Sequence, residues 1–440
     1  MNNLSVKYDT VLFDLDGTIT DSATGIAGSI RHVIQRMGLP EIEEEKLGLF
    51  MGPSLNESFS RHLGLAGDDI ERAVAIYRDD YAVSGIYNNR VYQGIPNLLL
   101  RLKKSGASVI LATHKPTVYA RLILEYFGLL GLFDSVVGVP LDANYHDKAD
   151  IVRQALPARR KGRAVMIGDR QNDMKAAKAN NIDAIGVLYG YGSESELVGS
   201  GADRIAAAVS DLAEMLLPMD GGRSEIAPTV NGLFMTIEGI DGAGKTTQVP
   251  LLAERLTQMG WEVVTTREPG GDLVAEKIRE LLKADGIGDM TAETEAYLFA
   301  ASRAQHVRKV IMPALARGAV VISDRFVDSS IAYQGAGREL GASRVQRLNE
   351  LAVDVCVPDL VMLLMVDLET ALLRRGSATR LDRIERSGES FFRRVYDAFV
   401  GLAEEEPDRV HIVDASRSIE ETTAQTLALA AECVKAHLMA

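Results

Sequence analysis

The stretch Gly239-Ile240-Asp241-Gly242-Ala243-Gly244-Lys245-Thr246 admits few folds, and it fits G-x-x-x-x-G-K-[ST] at every fixed position. Phe234-Met235-Thr236-Ile237-Glu238 before it reads as a buried strand, and residues 246–259 after it read as a helix. Glycines in such a turn let backbone N–H groups close around phosphate oxygens, and the helix N-terminus adds partial positive charge. Gly239, Asp241, Gly242, Ala243, Gly244, Lys245, Thr246 and Thr247 are therefore expected to cradle the phosphates of ATP. Lys245 would reach the transferring phosphates, and the Thr246 hydroxyl would ligate Mg²⁺. Pro250 cannot donate to the Thr246 carbonyl, which predicts a helix bent or loosened early.

Strand-like apolar runs alternate with helix-like segments along all 440 residues. That pattern predicts an α/β chain with two doubly wound parallel-sheet domains. Periodicity fails between Leu216 and Gly232, where Pro218, Gly221, Gly222, Ser224 and Pro228 fall close together. The expected division is a first domain over 1–217, a linker over 218–232 and a second domain over 233–440. Within the first, Ile26, Ile30, Val33 and Met37 share one helix face, and Ile70, Val74, Tyr77 and Tyr81 share another. The block from about 23 to 92 thus reads as a small helical cap.

Three apolar strands in the first domain end in polar residues: Val11 to Phe13 before Asp14, Val109 to Ala112 before Thr113, and Ala164 to Ile167 before Gly168-Asp169. Such ends place one site at the carboxyl edge of a sheet. Asp14 and Asp16, two apart on an extended chain, would face the same side. One carboxylate can attack phosphorus while the other handles the leaving-group proton. Asp169 and Asp173 could complete a Mg²⁺ site of hard oxygen ligands. Lys148 would neutralise phosphate charge, and Thr113 would donate to it.

Together, Phe13-Asp14-Leu15-Asp16-Gly17-Thr18, Thr113, Lys148 and Gly168-Asp169-Arg170-x-x-Asp173 resemble the haloacid dehalogenase superfamily of phosphatases. The resemblance implies Asp14 as nucleophile and Asp16 as acid/base, with Mg²⁺ on Asp14, the Asp16 carbonyl and Asp169 and with Asp173 in support. Met51-Gly52-Pro53-Ser54, Tyr92-Gln93-Gly94-Ile95-Pro96 and Gly190-Tyr191-Gly192 resemble the phosphoglycolate phosphatase and 5′-nucleotidase-like branch. His114 stands where that branch often has Ser or Asn.

After the phosphate loop, Trp261 to Thr266 reads as a strand leading into a turn at Arg267-Glu268-Pro269-Gly270-Gly271. A helix follows with Ile278, Leu281 and Leu282 inward and Arg279 on another face. Phe299 and Arg303 lie four apart, on one helix face. Val320-Val321-Ile322 leads to Ser323-Asp324-Arg325, and Asp324 is the expected Mg²⁺ carboxylate opposite the loop. Residues 374–394 carry Arg374, Arg375, Arg380, Arg383, Arg386, Arg393 and Arg394, enough to form a cationic lid that excludes water.

These motifs in this order resemble thymidylate kinase, a P-loop nucleoside monophosphate kinase fold, from Leu233 nearly to the end. The resemblance implies that Phe299 stacks on thymine while Arg303 and Gln334 bond the base region. Arg279 and Arg325 would hold the monophosphate, Asp241 and Glu268 would lie near the sugar, and Pro269 and Ser330 would line the pocket. Lys245 and Arg325 would be catalytic. Gly242 stands where some members carry an arginine, so the lid should supply one: Arg383, with Arg380 second. Asp272, Ser302, Phe326 and Met365 depart from common family residues.

A net charge of −13 argues against a general nucleic-acid or anionic-membrane binder. Cys356 and Cys433 form neither metal spacing nor a disulfide framework. No apolar signal core opens the chain and no window suits a membrane span, so cytoplasm is expected. The expected partners are nucleotides, small phosphomonoesters and a second copy bound through the kinase-like domain. One reading makes the chain bifunctional, joining dTMP phosphorylation by ATP to phosphomonoester hydrolysis through an aspartyl-phosphate. A rival makes the first domain a non-catalytic binding or docking module. A third, a nucleotide-gated switch, has no use for the acceptor set Phe299, Arg303 and Gln334.

Overall fold

The computed structural model describes residues 8–51, 55–141, 147–158, 162–217, 232–284, 289–376 and 382–439. Most of the expected linker, together with Gly52 to Ser54, Arg380 and Leu381, lies outside these residues. The chain forms two compact units, each built on its own parallel sheet.

In the first unit, β1 (Thr10–Phe13) is fully buried. The cap follows as α1 (Ala23–Met37), α2 (Leu55–Leu63) and α3 (Asp68–Asp80), with a π-helical turn over Tyr81–Gly85. Ile26, Ile30, Val33, Val74, Tyr77 and Tyr81 are its buried contacts. The chain then gives β2 (Ser108–Pro116), β3 (Ser135–Val139), α4 (Lys148–Ala155), β4 (Ala164–Gly168), β5 (Asp183–Val187) and β6 (Arg204–Ala206). The sheet order is β3-β2-β1-β4-β5-β6. Register aligns Phe13 with Leu111 on one side and with Ile167 on the other. Asp14, Thr113 and Asp169 therefore leave one sheet edge within a residue of the same line. The chain reverses its order beside β1, the crevice where ligands bind in such sheets.

Two expectations change. β2 runs on to Pro116, past Thr113, so Lys115 stays on the strand beside it. β1 stops at Phe13, so strand alternation does not place Asp14 and Asp16. They lie in the turn that follows, where Gly17 takes φ +78° and a Cβ would stand 2.2 Å from Asp169 Oδ2.

The second unit begins with β7 (Leu233–Glu238) and α5 (Lys245–Gln258), which runs on through Pro250. Next come β8 (Val263–Arg267), two residues later than expected, α6 (Leu273–Lys283) and α7 (Ala292–His306). β9 (Val320–Asp324), a π-helical segment over Ile331–Gly337, β10 (Leu360–Met365), α8 (Leu368–Gly376) and β11 (Val410–Asp414) follow in the chain. The sheet order is β8-β9-β7-β10-β11, all parallel. Leu282 is buried as expected, but Leu281 is 43% exposed and Ala275 takes the inward place.

Candidate functional sites

In the first unit, Asp14, Asp16, Thr113, Lys148 and Asp173 line one cavity of about 340 Å³. Asp169 lies fully buried, with Oδ2 accepting from the Tyr191 N–H at 2.8 Å. Gly190-Tyr191-Gly192, noted only as a branch marker, thus holds this carboxylate in place. Lys148, the first residue of α4, stands 2.8 Å from Asp14 Oδ1 and 2.9 Å from Asp173 Oδ1. Burial alone would raise the Asp14 carboxyl, but Lys148 and Thr113 outweigh it and hold it below the usual range. Burial pushes Asp173 up to about 6 and, with Asp173 and Asp14 nearby, lifts Asp169 well above the ordinary carboxylate value.

Asp14, Asp169 and Asp173 bring carboxylate oxygens within 4.8 Å of one another. Asp14 Oδ1 and Asp173 Oδ1 are buried, and each meets the Lys148 ammonium. Three carboxylates this close repel one another, and such a cluster fits a hard divalent cation. The Asp16 carboxylate is not among them. It pairs instead with Lys115 Nζ at 2.9 Å, and that ammonium lies 4.6 Å from the Tyr81 ring centre. Burial would lower the Lys115 ammonium, but Asp16 and Tyr81 hold it above the usual lysine range. Lys115 was not singled out in the sequence. Its signal was the spacing from Thr113, readable only if β2 is continued two residues further. His114 lines the same cavity.

In the second unit, one cavity of about 410 Å³ is lined by Asp241, Gly242, Gly244 to Thr247, Glu268, Pro269, Arg279, Phe299, Arg303, Asp324, Arg325, Ser330 and Gln334. Phosphate loop and expected acceptor residues thus share one space. Gly239 and Ala243 complete the loop behind it. Lys245 Nζ donates to the Gly239 and Ile240 carbonyls at 3.0 and 2.9 Å. Burial, then the charge of Arg325, lowers this ammonium to about 8. Arg325 takes a left-handed backbone, φ 74°, rare for a residue with a side chain. From there it donates to Gly239 O at 2.9 Å and to Asp241 at 2.6 Å. Burial would raise Asp241, but Arg325 and Lys245 hold it far below the usual range.

Arg303 is 1% exposed and committed to protein groups: Glu268, Asn349, the Phe326 carbonyl and Ser330. Glu268 also accepts from His306, which on its other side meets Thr266 at 2.6 Å. Arg303 and Glu268 therefore brace the site as a buried pair. Arg279 donates to the Pro269 carbonyl at 2.8 Å. Arg383 does not line the cavity. It pairs with Glu295 at 2.7 Å and reaches the Leu282 carbonyl, while Asp382, Ile384 and Glu385 line the space. In this geometry a buried carboxylate holds the Arg383 guanidinium away from the cavity, and Arg380, the second choice, lies outside the described residues.

The departures find local reasons. Asp272 caps α6 by accepting from Val274 N–H, as a threonine would. Ser302 accepts from Gly270 N–H at 3.3 Å, and Phe326 packs edge-on against Phe234. The Met365 carbonyl accepts from Ala415 N–H, which does not engage its side chain. Tyr333 was missed. It lines the cavity and donates to Asp241 at 2.9 Å.

Residues 237–426 match the family model described as thymidylate kinase, and residues 11–187 match that of haloacid dehalogenase-like hydrolases. The thymidylate kinase of Exiguobacterium sibiricum is 47% identical over 191 residues, 43% of this chain and 90% of that protein. That of Leifsonia xyli subsp. xyli is 50% identical over 195 residues, 44% and 92% of the two chains. A structure described as a predicted phosphatase from Clostridium acetobutylicum is 40% identical, covering 47% of this chain and 97% of that one, with a TM-score of 0.45. Through its second unit this chain belongs to the thymidylate kinase family, and its first unit is a haloacid dehalogenase-like hydrolase domain.

Proposed function

We propose that the second domain transfers the γ-phosphoryl group of ATP to dTMP, giving dTDP and ADP, and that the first hydrolyses a small phosphomonoester through an aspartyl-phosphate. For the kinase, the carrying observation is the single cavity bordered by both the phosphate loop and the Phe299, Gln334, Arg279 set. The relatives named thymidylate kinase support it. Lys245 binds the transferring phosphates, Arg279 and Arg325 hold the acceptor phosphate, and Phe299 lies under the base. With Arg383 held by Glu295, charge in the transferring group falls to Lys245 and Arg325. Thr246 and Asp324 would hold Mg²⁺, which when bound neutralises phosphate charge.

For the phosphatase, the carrying observation is Asp14 paired with the Lys148 ammonium beside an Asp16 held separately by Lys115. Asp14 attacks phosphorus. Asp16 gives its proton to the leaving oxygen, then takes one from the water that cleaves the phospho-enzyme bond. Lys148 and Thr113 hold phosphoryl oxygens, and Lys115 positions Asp16. Asp14, Asp169 and Asp173 would hold Mg²⁺, which when bound offsets phosphoryl charge.

Incubating the purified chain with ATP, dTMP and Mg²⁺ tests the first half, and absence of dTDP would overturn it. Lys245→Ala protein, assayed for phosphate release from nucleoside monophosphates and phosphoglycolate, tests the second. Failure on the whole panel would return the first domain to a docking role.

A further inference from the structure

Glu295 on α7 is 1% exposed, and donors from three residues on two segments converge on it. Gln334 donates Nε2–H to Oε1 at 2.9 Å, Arg338 reaches both oxygens at 3.2 Å, and Arg383 stands 2.7 Å from Oε2. A carboxylate ionised between guanidinium groups accepts hydrogen bonds and donates none. The Gln334 amide is therefore allowed one orientation, nitrogen towards Glu295 and carbonyl oxygen away from it. Gln334 is itself 1% exposed and lines the acceptor cavity, and its side-chain oxygen takes no hydrogen bond from the described residues.

An acceptor that a bound base cuts off from water selects for a donor, because leaving it unpaired is then costly. Thymine and uracil carry a ring N–H between their two carbonyls. Cytosine carries a lone pair at that ring position. We propose that Glu295 is a positioning residue: by fixing the Gln334 amide it makes the acceptor site specific for a pyrimidine with a ring N–H, against cytosine. Phe299 lies one helical turn from Glu295 on α7. The helix that offers the ring a platform also fixes the group that reads its edge.

The inference rests on reading the second domain as a pyrimidine monophosphate kinase, and the test separates the two. Steady-state kcat and KM for dTMP and dCMP, with ATP and Mg²⁺, are measured on the unaltered chain, Glu295→Gln, and the double variant Glu295→Gln/Gln334→Glu. A glutamine at 295 offers both donor and acceptor, so the amide at 334 can take either orientation. The dTMP-to-dCMP ratio of kcat/KM is expected to fall about tenfold, mainly through a higher KM for dTMP. In the double variant donor and acceptor exchange places. The carboxylate at 334 then keeps an oxygen towards the ring, and the ratio recovers to within about threefold of the original. An unchanged ratio in Glu295→Gln, with both substrates slowed alike, marks a merely structural carboxylate and overturns the inference. Should Glu295→Gln melt below the assay temperature, the double variant decides: a kept preference supports the inference and a lost one overturns it. If the unaltered chain phosphorylates neither nucleotide, the kinase reading fails and this inference falls with it.

Discussion

Two lysines serve the first cavity, Lys148 on Asp14 and Asp173, and Lys115 on Asp16. Asp16 must hold a proton at one step and release it at another, so the cation beside it bears directly on turnover. Lys115→Met is expected to lower phosphatase kcat about a hundredfold with little change in KM, and Lys115→Arg to restore part of it. Equal losses in both variants, or none, would remove Lys115 from the mechanism. In the second unit Glu238 is fully buried, accepting from Phe326 N–H at 2.6 Å, and burial together with Asp328 raises it to about 7. Its ordinary value is 4.5, so folding takes up a proton between those values. The stability it contributes is whole below about 4.5 and is lost as pH rises through about 7, on the order of 3 kcal/mol. Calorimetry of the full chain should show Glu238→Gln flattening the pH dependence between 5 and 8, and an unaltered slope would contradict this. Neither residue was marked in the sequence. Lys115 lies two residues past the strand end expected at Thr113, and Glu238 reads simply as the last residue of a buried strand.

The strands were legible because buried parallel strands are short apolar runs, and their polar ends announced both sheet edges. The elements between them were less so. Tyr81–Gly85, Val307–Ile311 and Ile331–Gly337 are π-helical, and such turns depart from the 3.6-residue period on which helix reading depends. Tyr81 and Tyr333, each in one of these segments, line the two cavities. Lid geometry was illegible for another reason: a run of arginines does not say which carboxylate captures which, and Glu295 captured Arg383. The phosphate loop was readable down to its glycines. Gly242 has φ +89°, and a Cβ there would stand 2.4 Å from the Ala371 carbonyl oxygen on α8. Gly244 has φ +99° with open space around it. Gly244→Ala should therefore cost only backbone strain, about 1–2 kcal/mol, while Gly242→Ala adds a clash with backbone that cannot rotate away. Calorimetry should rank Gly242→Ala as the less stable of the two. The reverse order would show that α8 yields easily, and would reopen room for an arginine inside this loop.

Among the described residues, the side chains lining the first cavity come from residues 14–191 and those lining the second from residues 241–385. Chemistry gives a reason for distinct substrates. A phosphatase that attacked dTMP quickly would consume the substrate of the kinase on the same chain, so the first cavity should favour another phosphomonoester. No helix among the described residues is long and apolar enough to cross a membrane, and both reactions as proposed use diffusible substrates. Lys245→Ala removes a buried cation from the phosphate loop, and dTDP formation is expected to fall at least about a hundredfold while phosphate release is unchanged. Asp14→Asn removes the nucleophile and should do the reverse, abolishing phosphate release while dTDP formation stays within about twofold. Assaying both reactions on each purified variant provides the check. If either substitution silenced both activities in folded protein, the two sites would be coupled, and the bifunctional reading would need a single shared reaction in place of two.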